Sequence, residues 1–412
     1  MPSTPPIWLI FMSYPQYPQP LLLLRIIILY FQCIRTLQKG LYAMILTFNK
    51  EQLLTALNTV SKAVPTKTTS TILECILFDA TTSEIKLTGN DMELGIETKV
   101  EGNIIEPGKI ALEAKLICDI IRKLEGGGEP VYIETITQGL TKIRCGKAVF
   151  QIQGLDGEEF SYLPYIEKNH FITLSQFTLK EVIRQTLFSA AVNDSNKMMC
   201  GELIEVHENI AKFVTLDGHR ISIRNILLRE NYDDMKVIVP GKTLNEISRI
   251  ISGDNEKEIR IYFSTNHILF EFDNTIVVSR LIEGQYFKIE HMLSSDYELK
   301  INVNKNKFLS TIDSATILIK ENDHKPIILD IKDGVVKTTV KSSAGSMDDE
   351  IEAIKTGKDL MIAFNPKFLI DALKVIDDEY IDIYMTNSKA PCFIRDSDGN
   401  YTYLVLPVNF VV

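Results

Sequence analysis

The sequence predicts an α+β protein in which one pattern, a strand, a helix and three further strands, occurs six times in tandem. Internal repetition is the first observation behind this, because a repeat sets the architecture before any single element does. One set of openings reads Ile45–Phe48, Phe171–Leu174 and Leu299–Val303, each followed by apolar residues at helical spacing: Leu53 to Leu57, Leu179 to Ile183, Phe308 to Ile312. A second set opens at Ile110–Leu112, Val237–Val239 and Met361–Phe364, with helices carrying Leu116 to Ile121, Leu244 to Ile251 and Phe368 to Ile376. The second observation is spacing, since the copies lie about 125–129 residues apart, an ordinary domain length. The third is that Lys115, Lys242 and Lys367 recur at matching places. Three domains of two similar halves follow, over residues 44–168, 169–296 and 297–412.

In the first half-repeat, residues 45–49 read as a strand. The stretch from about Lys50 to Val64 reads as a helix, with Leu53, Leu54, Leu57, Val60 and Val64 on one face. Ile72–Phe78, Glu84–Thr88 and Leu94–Val100 alternate as strands, and Thr88–Asp91 and Glu101–Asn103 supply turns. The second half repeats this with a strand at Lys109–Glu113, a helix over 115–124, a Gly126–Gly128 stop that reads as a C-cap loop, and strands near 130–136, 140–145 and 147–153. Helices followed by hairpins predict mainly antiparallel sheets with helices on one face, and two halves per domain set two helices side by side.

The chain has 412 residues, 45% hydrophobic and 24% charged, as in soluble globular proteins. Residues 1–43 do not match the repeat. Their apolar runs, 7–12 and 21–31, are separated by Pro15, Pro18 and Pro20 and are too short to cross a bilayer. They lack a clear signal-peptide layout. Met44 reads as a natural start, so 1–43 is expected to be a disordered tail or a misassigned extension, the alternative being a weak membrane-surface anchor. The six cysteines (33, 75, 118, 145, 200, 392) form no C-x-x-C pair, which predicts reduced thiols, a cytoplasmic location and no structural zinc.

Net charge is −10; residues 1–43 hold three basic residues and no acid, so the remainder carries −13. The total argues against nucleic acid, but the distribution does not. Lys62, Arg122, Lys123, Lys180, Arg184, Lys242, Arg249, Lys305, Lys307, Lys367 and Lys374 all fall in or beside predicted helices, while acids gather at 156–159, 254–258, 348–352 and 377–379. Each lysine alone reads as a solvated side chain. Spread over six helices they make a shared basic face plausible, able to hold duplex phosphates without reading sequence.

The stretch Thr215-Leu-Asp-Gly-His-Arg-Ile221 resembles the T-D-G-H-R-L segment of the bacterial DNA polymerase III β subunit family, the sliding clamps. Leu87–Glu93, Val239–Lys242 and the ending Tyr403–Phe410 support the resemblance in the right order, from Met44 to about Phe410. It implies three tandem clamp domains with helices inside and sheets outside, in a head-to-tail dimeric ring around double-stranded DNA. DNA contact would fall to Lys67, Asn193, Lys197, Arg122, Lys123 and Arg184. The resemblance further implies a cleft that binds peptides carrying a glutamine and a terminal hydrophobic pair. Its positions are Met199, Leu216, Gly218, His219, Arg220, Ile221, Asn365, Phe368, Leu404, Val405, Leu406, Pro407 and Val408, with Arg220 and His219 as polar rim. The partners so implied are the DNA polymerase III α subunit, the clamp loader, other polymerases and repair proteins.

Phe287, His291 and Asn409 depart from the family's usual residues at the cleft, as do Lys67, Asn193 and Lys197 in the DNA-contacting loops. At the ring joint the resemblance implies Phe150 against Ile317 and Leu318 of a second copy, with ordinary core as the alternative. The residues themselves suggest no catalysis. Asp217-Gly-His219 reads as a turn, no nucleophile elbow or phosphate loop is present, and the six histidines show no metal spacing. No cofactor is expected. Two readings stand: a non-enzymatic processivity ring, and a repeat-built enzyme or scaffold without a DNA role.

Overall fold

In a computed structural model, residues 42–125, 128–136, 139–293, 296–319 and 325–410 are described. They divide into two compact units, the first holding 42–90 and 97–162, the second 91–96 and 163–410. The strands of the first unit are β1 (Tyr42–Phe48), β2 (Cys75–Asp79), β3 (Ile85–Asn90), β4 (Leu94–Val100, in this unit from Glu97 onward), β5 (Gly102–Glu106), β6 (Lys109–Glu113), β7 (Val131–Ile136), β8 (Leu140–Cys145), β9 (Ala148–Gln153) and β10 (Leu155–Asp156). Helices α1 (Lys50–Val60) and α2 (Ala114–Lys123) pack together, and the sheets run β5-β1-β7-β8-β9 and β10-β6-β2-β3-β4. Asn49 starts α1 by accepting from the Glu51 and Gln52 amides, and Leu53, Leu57 and Val60 bury its inner face.

The second unit contains β11 (Phe171–Ser175), β12 (Gly201–Leu216), β13 (Arg220–Pro240), β14 (Glu258–Phe263), β15 (His267–Phe272), β16 (Thr275–Arg280), β17 (Leu299–Asn304), β18 (Ile327–Lys332), β19 (Val335–Ser342), β20 (Gly345–Gly357), β21 (Leu360–Phe364), β22 (Tyr380–Met385), β23 (Cys392–Arg395) and β24 (Tyr401–Val405). Its helices are α3 (Gln176–Thr186), α4 (Gly241–Ile250), α5 (Lys305–Thr316) and α6 (Pro366–Val375). Helix α3 packs on α4, and α5 on α6. One sheet runs β16-β15-β14-β11; the other has ten strands, β12-β13-β24-β23-β22-β17-β20-β19-β18-β21. The β13–β24 ladder, Arg220↔Val405 to Arg224↔Tyr401, joins residues some 180 positions apart into one sheet.

The half-repeats are therefore visible as antiparallel ladders with paired helices. A lysine ties each pair together: Lys50 Nζ donates to the Leu124 carbonyl, Lys180 Nζ to Ile251 O (3.1 Å) and Lys305 Nζ to Ile376 O (2.9 Å). Each acceptor is the residue capping the partner helix, where carbonyls lack intrahelical donors and a cation is favoured. Lys180 and Lys305, grouped above with the solvated basic residues, are thus engaged.

Several boundaries differ from the sequence reading. Strand β1 begins at Tyr42, two residues inside the stretch assigned to the extension; residues 1–41 lie outside the described residues, as do Gly126, Gly127, Val411 and Val412. Thr71–Glu74 is a 3-10 turn, so only 75–78 of the expected 72–78 strand is extended, and the strand runs on to Asp79. Neither expected turn forms where it was placed. Thr88–Asn90 continues β3, and Gly102 opens β5, which pairs with β1 through Phe48↔Gly102. A Cβ on Gly102 would stand 2.6 Å from the Thr47 carbonyl, so the glycine serves a close strand approach instead of a reversal.

Candidate functional site

The ladder between β13 and β24 has two faces, and period-2 alternation assigns the cleft residues to them. Ile221 and Leu404, cross-strand partners, lie on one face with Leu216, all nearly solvent-free. They join a cluster with Leu203, Val214, Ile223, Tyr286, Ile289 and Phe393, against which Met198, Met199, Phe287 and Leu293 pack half-buried. This is an apolar floor. Arg220 and Val405 face the other way. Val405 is fully buried in the core shared with α5 and α6.

Arg220 is not a rim residue. It is 7% exposed, and its guanidinium donates to Asp217 Oδ2 (2.9 Å), Asp371 Oδ2 (2.7 Å) and the Phe188 carbonyl (2.7 Å). It also lies over the Phe368 ring (4.6 Å) and the Phe188 ring (5.4 Å). Burial depresses its pKa, but the Asp371 and Asp217 carboxylates outweigh that and hold it above the usual value. The side chain therefore braces β13 to α6, and it has little left to offer a ligand.

The rim is built by the adjacent turn. Asp217 Oδ1 accepts from the amides of His219 (3.0 Å) and Arg220 (3.2 Å), and Gly218 sits at φ +86°, a conformation that L side chains rarely adopt. The turn lifts His219 into solvent, stacked on Phe368 with centroids 5.9 Å apart. The Leu406 amide donates to the His219 carbonyl (2.9 Å), which fixes Leu406, 36% exposed, beside it. Pro407 and Val408 are half-buried, and Val408 N donates to Ala363 O (2.8 Å). Asn365 Oδ1 caps α6 through the Lys367 amide (3.0 Å). Of the expected set, Met199, His219, Phe368, Leu406, Pro407 and Val408 present surface, while Leu216, Ile221 and Leu404 form the floor.

Sequence reasoning missed Met198, Tyr286, Ile289, Leu293 and Phe393. A signal exists for most of them: residues 281–293 are rich in apolar side chains yet carry no helical or strand period, which marks a loop laid on a sheet. Phe287 packs half-buried against the floor, and His291 and Asn409 are exposed.

On the helical side of the second unit, Lys180, Arg184, Lys197, Lys242 and Arg280 line a pocket of about 1360 Å³ with three carboxylates, Glu93, Glu181 and Glu283. Arg184 is held by Glu181 (2.5 Å) and Asp377 (2.8 Å), and Lys242 pairs with Asp91. Lys197 is exposed, as is Asn193, the neighbour in sequence of the lining residue Val192. Arg280, the last residue of β16, is a further cation at this pocket that helical spacing does not reveal. In the first unit Lys67, Arg122 and Lys123 are exposed, Arg122 paired with Asp119 (2.7 Å). Phe150 (38%) and Ile317 (82%) are exposed, which removes the ordinary-core alternative for them, whereas Leu318 is half-buried and packs against the core shared by α5 and α6.

No helix among the described residues is long and apolar enough to cross a membrane. Sequence profiles of the DNA polymerase III beta subunit match residues 44–164 (N-terminal domain), 173–288 (central domain) and 290–409 (C-terminal domain). The chain is similar to a beta sliding clamp of Staphylococcus aureus, 34% identical over 373 residues, 88% of this chain and 98% of that one. Among solved structures, a putative DNA polymerase III beta subunit from Eubacterium rectale is 58% identical with TM-score 0.87, covering 89% of this chain and all of the other. The DNA polymerase sliding clamp of Bacillus subtilis is 32% identical with TM-score 0.86, covering 90% and 100%. With three clamp domains in tandem and near-complete coverage of these relatives, the chain belongs to the DNA polymerase III beta subunit family, the bacterial sliding clamps.

Proposed function

We infer that the protein is a non-catalytic DNA polymerase processivity factor, a cytoplasmic homodimeric ring that encircles duplex DNA and tethers replication and repair proteins. The observation that carries this is the 34% identity across 98% of a beta sliding clamp. Three domains, 44–168, 169–296 and 297–412, each supply one helix pair. Lys67, Arg122, Lys123, Arg184, Asn193 and Lys197 contact the phosphates, so grip is independent of sequence.

Two strand edges without a neighbour among the described residues support ring closure. Strand β9 is the outer strand of its sheet, with Val149 and Phe150 exposed. In β20, residues 345–352 pair only with β19 among the described residues, because pairing with β17 begins at Ala353. Exposed edges invite strand addition. Lys142 and Lys147 stand on or beside the first edge, and Asp348, Asp349 and Glu350 on the second. Antiparallel pairing of β9 with β20 of a second copy, Phe150 meeting Ile317 and Leu318, closes both joints by symmetry.

The floor of Leu216, Ile221 and Leu404, rimmed by Met199, His219, Phe368 and Leu406, takes the hydrophobic end of the α subunit and clamp-loader peptides. The deciding experiment loads the protein onto nicked circular plasmid with a clamp loader and compares retention in high salt with linearised plasmid. A ring stays on the circle and leaves the linear form; equal loss from both refutes encirclement, since phosphate contact alone weakens steeply with salt.

A further inference from the structure

We propose that the sheet face continuous with the cleft floor is a second docking subsite for the same partner chain, taking an extended flanking segment with an apolar side chain next to a carboxylate. This rests on the peptide-cleft reading above and extends it beyond the motif.

The argument starts from register. On β12 the residues Leu216, Val214, Lys212 and Ile210 share a face by alternation, and their partners on β13 are Ile221, Ile223, Asn225 and Leu227. The first two rows are covered by the 281–293 loop and belong to the cleft cluster. Among the described residues that cover ends at Leu293, which packs against the cluster and also lines the next pocket. The pocket, about 470 Å³, is formed by Ile210, Lys212, Leu227, Leu293, Arg395 and Thr402, among others. Leu227 is 77% exposed and Ile210 46%, a pair of cross-strand aliphatic side chains left in water at one end of this face.

Its charge is one-sided. Lys212 and Arg395 line the pocket, and among the described residues lining it there is no Asp or Glu, in a chain whose net charge is −10. Arg395 lies over the Tyr384 ring (5.1 Å) and the Phe393 ring (5.6 Å), which orders the guanidinium. The occupant that fits has a carboxylate for Lys212 and Arg395 and an aliphatic or aromatic group for Ile210 and Leu227. At the strand rise of about 3.3 Å per residue, Lys212 and Ile210 lie about 13–20 Å from Leu216, a span of roughly four to six extended residues. A segment of the motif-bearing chain reaches that far without a second partner, and its local concentration is raised by the anchored motif.

The test uses the full chain and three synthetic peptides: the motif with its glutamine and terminal hydrophobic pair, and the same motif with a six-residue extension containing Glu-Leu-Asp at either its N- or C-terminal end. One extension should tighten binding about tenfold at low ionic strength, a gain that shrinks as salt rises. Lys212→Glu combined with Leu227→Asn should abolish the gain while leaving affinity for the motif alone unchanged, which also reports that the variant is folded. The proposal is overturned if neither extension tightens binding, or if the gain survives that variant. Leu406→Ala tests the cleft separately. If the motif alone does not bind, or is indifferent to Leu406→Ala, the cleft reading fails. Dependence of the extended peptide on Lys212 and Leu227 still decides the subsite.

Discussion

Arg220 directs its donors inward, and this reverses the role its motif suggests. Replacing it by Met leaves the Asp217 and Asp371 carboxylates without their partner in a largely dry setting, where breaking such a pair costs about 3–5 kcal/mol. Urea denaturation should show a loss of that order. Arg220→Lys should recover only part of it, because an ammonium cannot reproduce the three-way fork. A stability close to wild type for Arg220→Met would remove the brace. Glu202 is a second buried group with a measurable signature. It is fully buried, and desolvation pushes its carboxyl up to about 8 against the opposing hydrogen bond with Thr186. Thr186 Oγ1 lies 2.6 Å from Glu202 Oε1 and 2.7 Å from the Val182 carbonyl, so a protonated Glu202 can donate to the hydroxyl while the hydroxyl donates onward. Because the folded pKa lies above the ordinary 4.5, the folded state holds the extra proton. The contribution to stability is complete below about 4.5 and is lost as pH rises through about 8. Glu202→Gln should therefore gain on wild type between pH 5.5 and 8.5 in denaturant titrations; a constant difference would show that Glu202 ionises normally.

The elements explain which features the chain announced. Helices α1 and α2 and strands β4, β6 and β8 fall close to where their periodicity and punctuation place them, because each buries one face on local instructions. Strand β5 escaped notice because a glycine serves both turns and close backbone approach, and only the Thr47 carbonyl opposite Gly102 decides between them. The cleft was legible as a residue set through the T-L-D-G-H-R-I segment, but not as a surface. The partition of Ile221 and Leu404 from Arg220 and Val405 depends on a ladder between distant segments. At this scale the exposed edge makes a prediction. Phe150→Asp places a charge on β9, where 38% exposure implies a small folding cost, within about 0.5 kcal/mol. Sedimentation should show a shift from dimer to monomer with the thermal midpoint nearly unchanged. A dimer of wild-type affinity would place the joint elsewhere.

At the scale of the whole molecule, an acidic total coexists with a cationic pocket beside α3 and α4. Cancelling that local excess should weaken DNA contact uniformly over sequences. Lys197→Ala with Arg280→Ala should lower the slope of log affinity against log salt by about 0.9 per phosphate contact removed. Retention on closed circular DNA should be preserved, because topology and not affinity holds the ring there. Loss of retention in step with affinity would count against encirclement.

The β13–β24 ladder carries a consequence for how the chain matures. Tyr401–Val405 is synthesised some 180 residues after Arg220–Arg224, yet it supplies the hydrogen-bonding neighbour of that segment and joins it into the ten-stranded sheet. A nascent chain halted before Tyr401 presents Arg220–Arg224 as an open template, with the floor residue Ile221 lacking its Leu404 neighbour. The floor is therefore completed only once a strand made some 180 residues later has paired with its template, so a polypeptide that stops short of β24 carries just the Ile221 half of it.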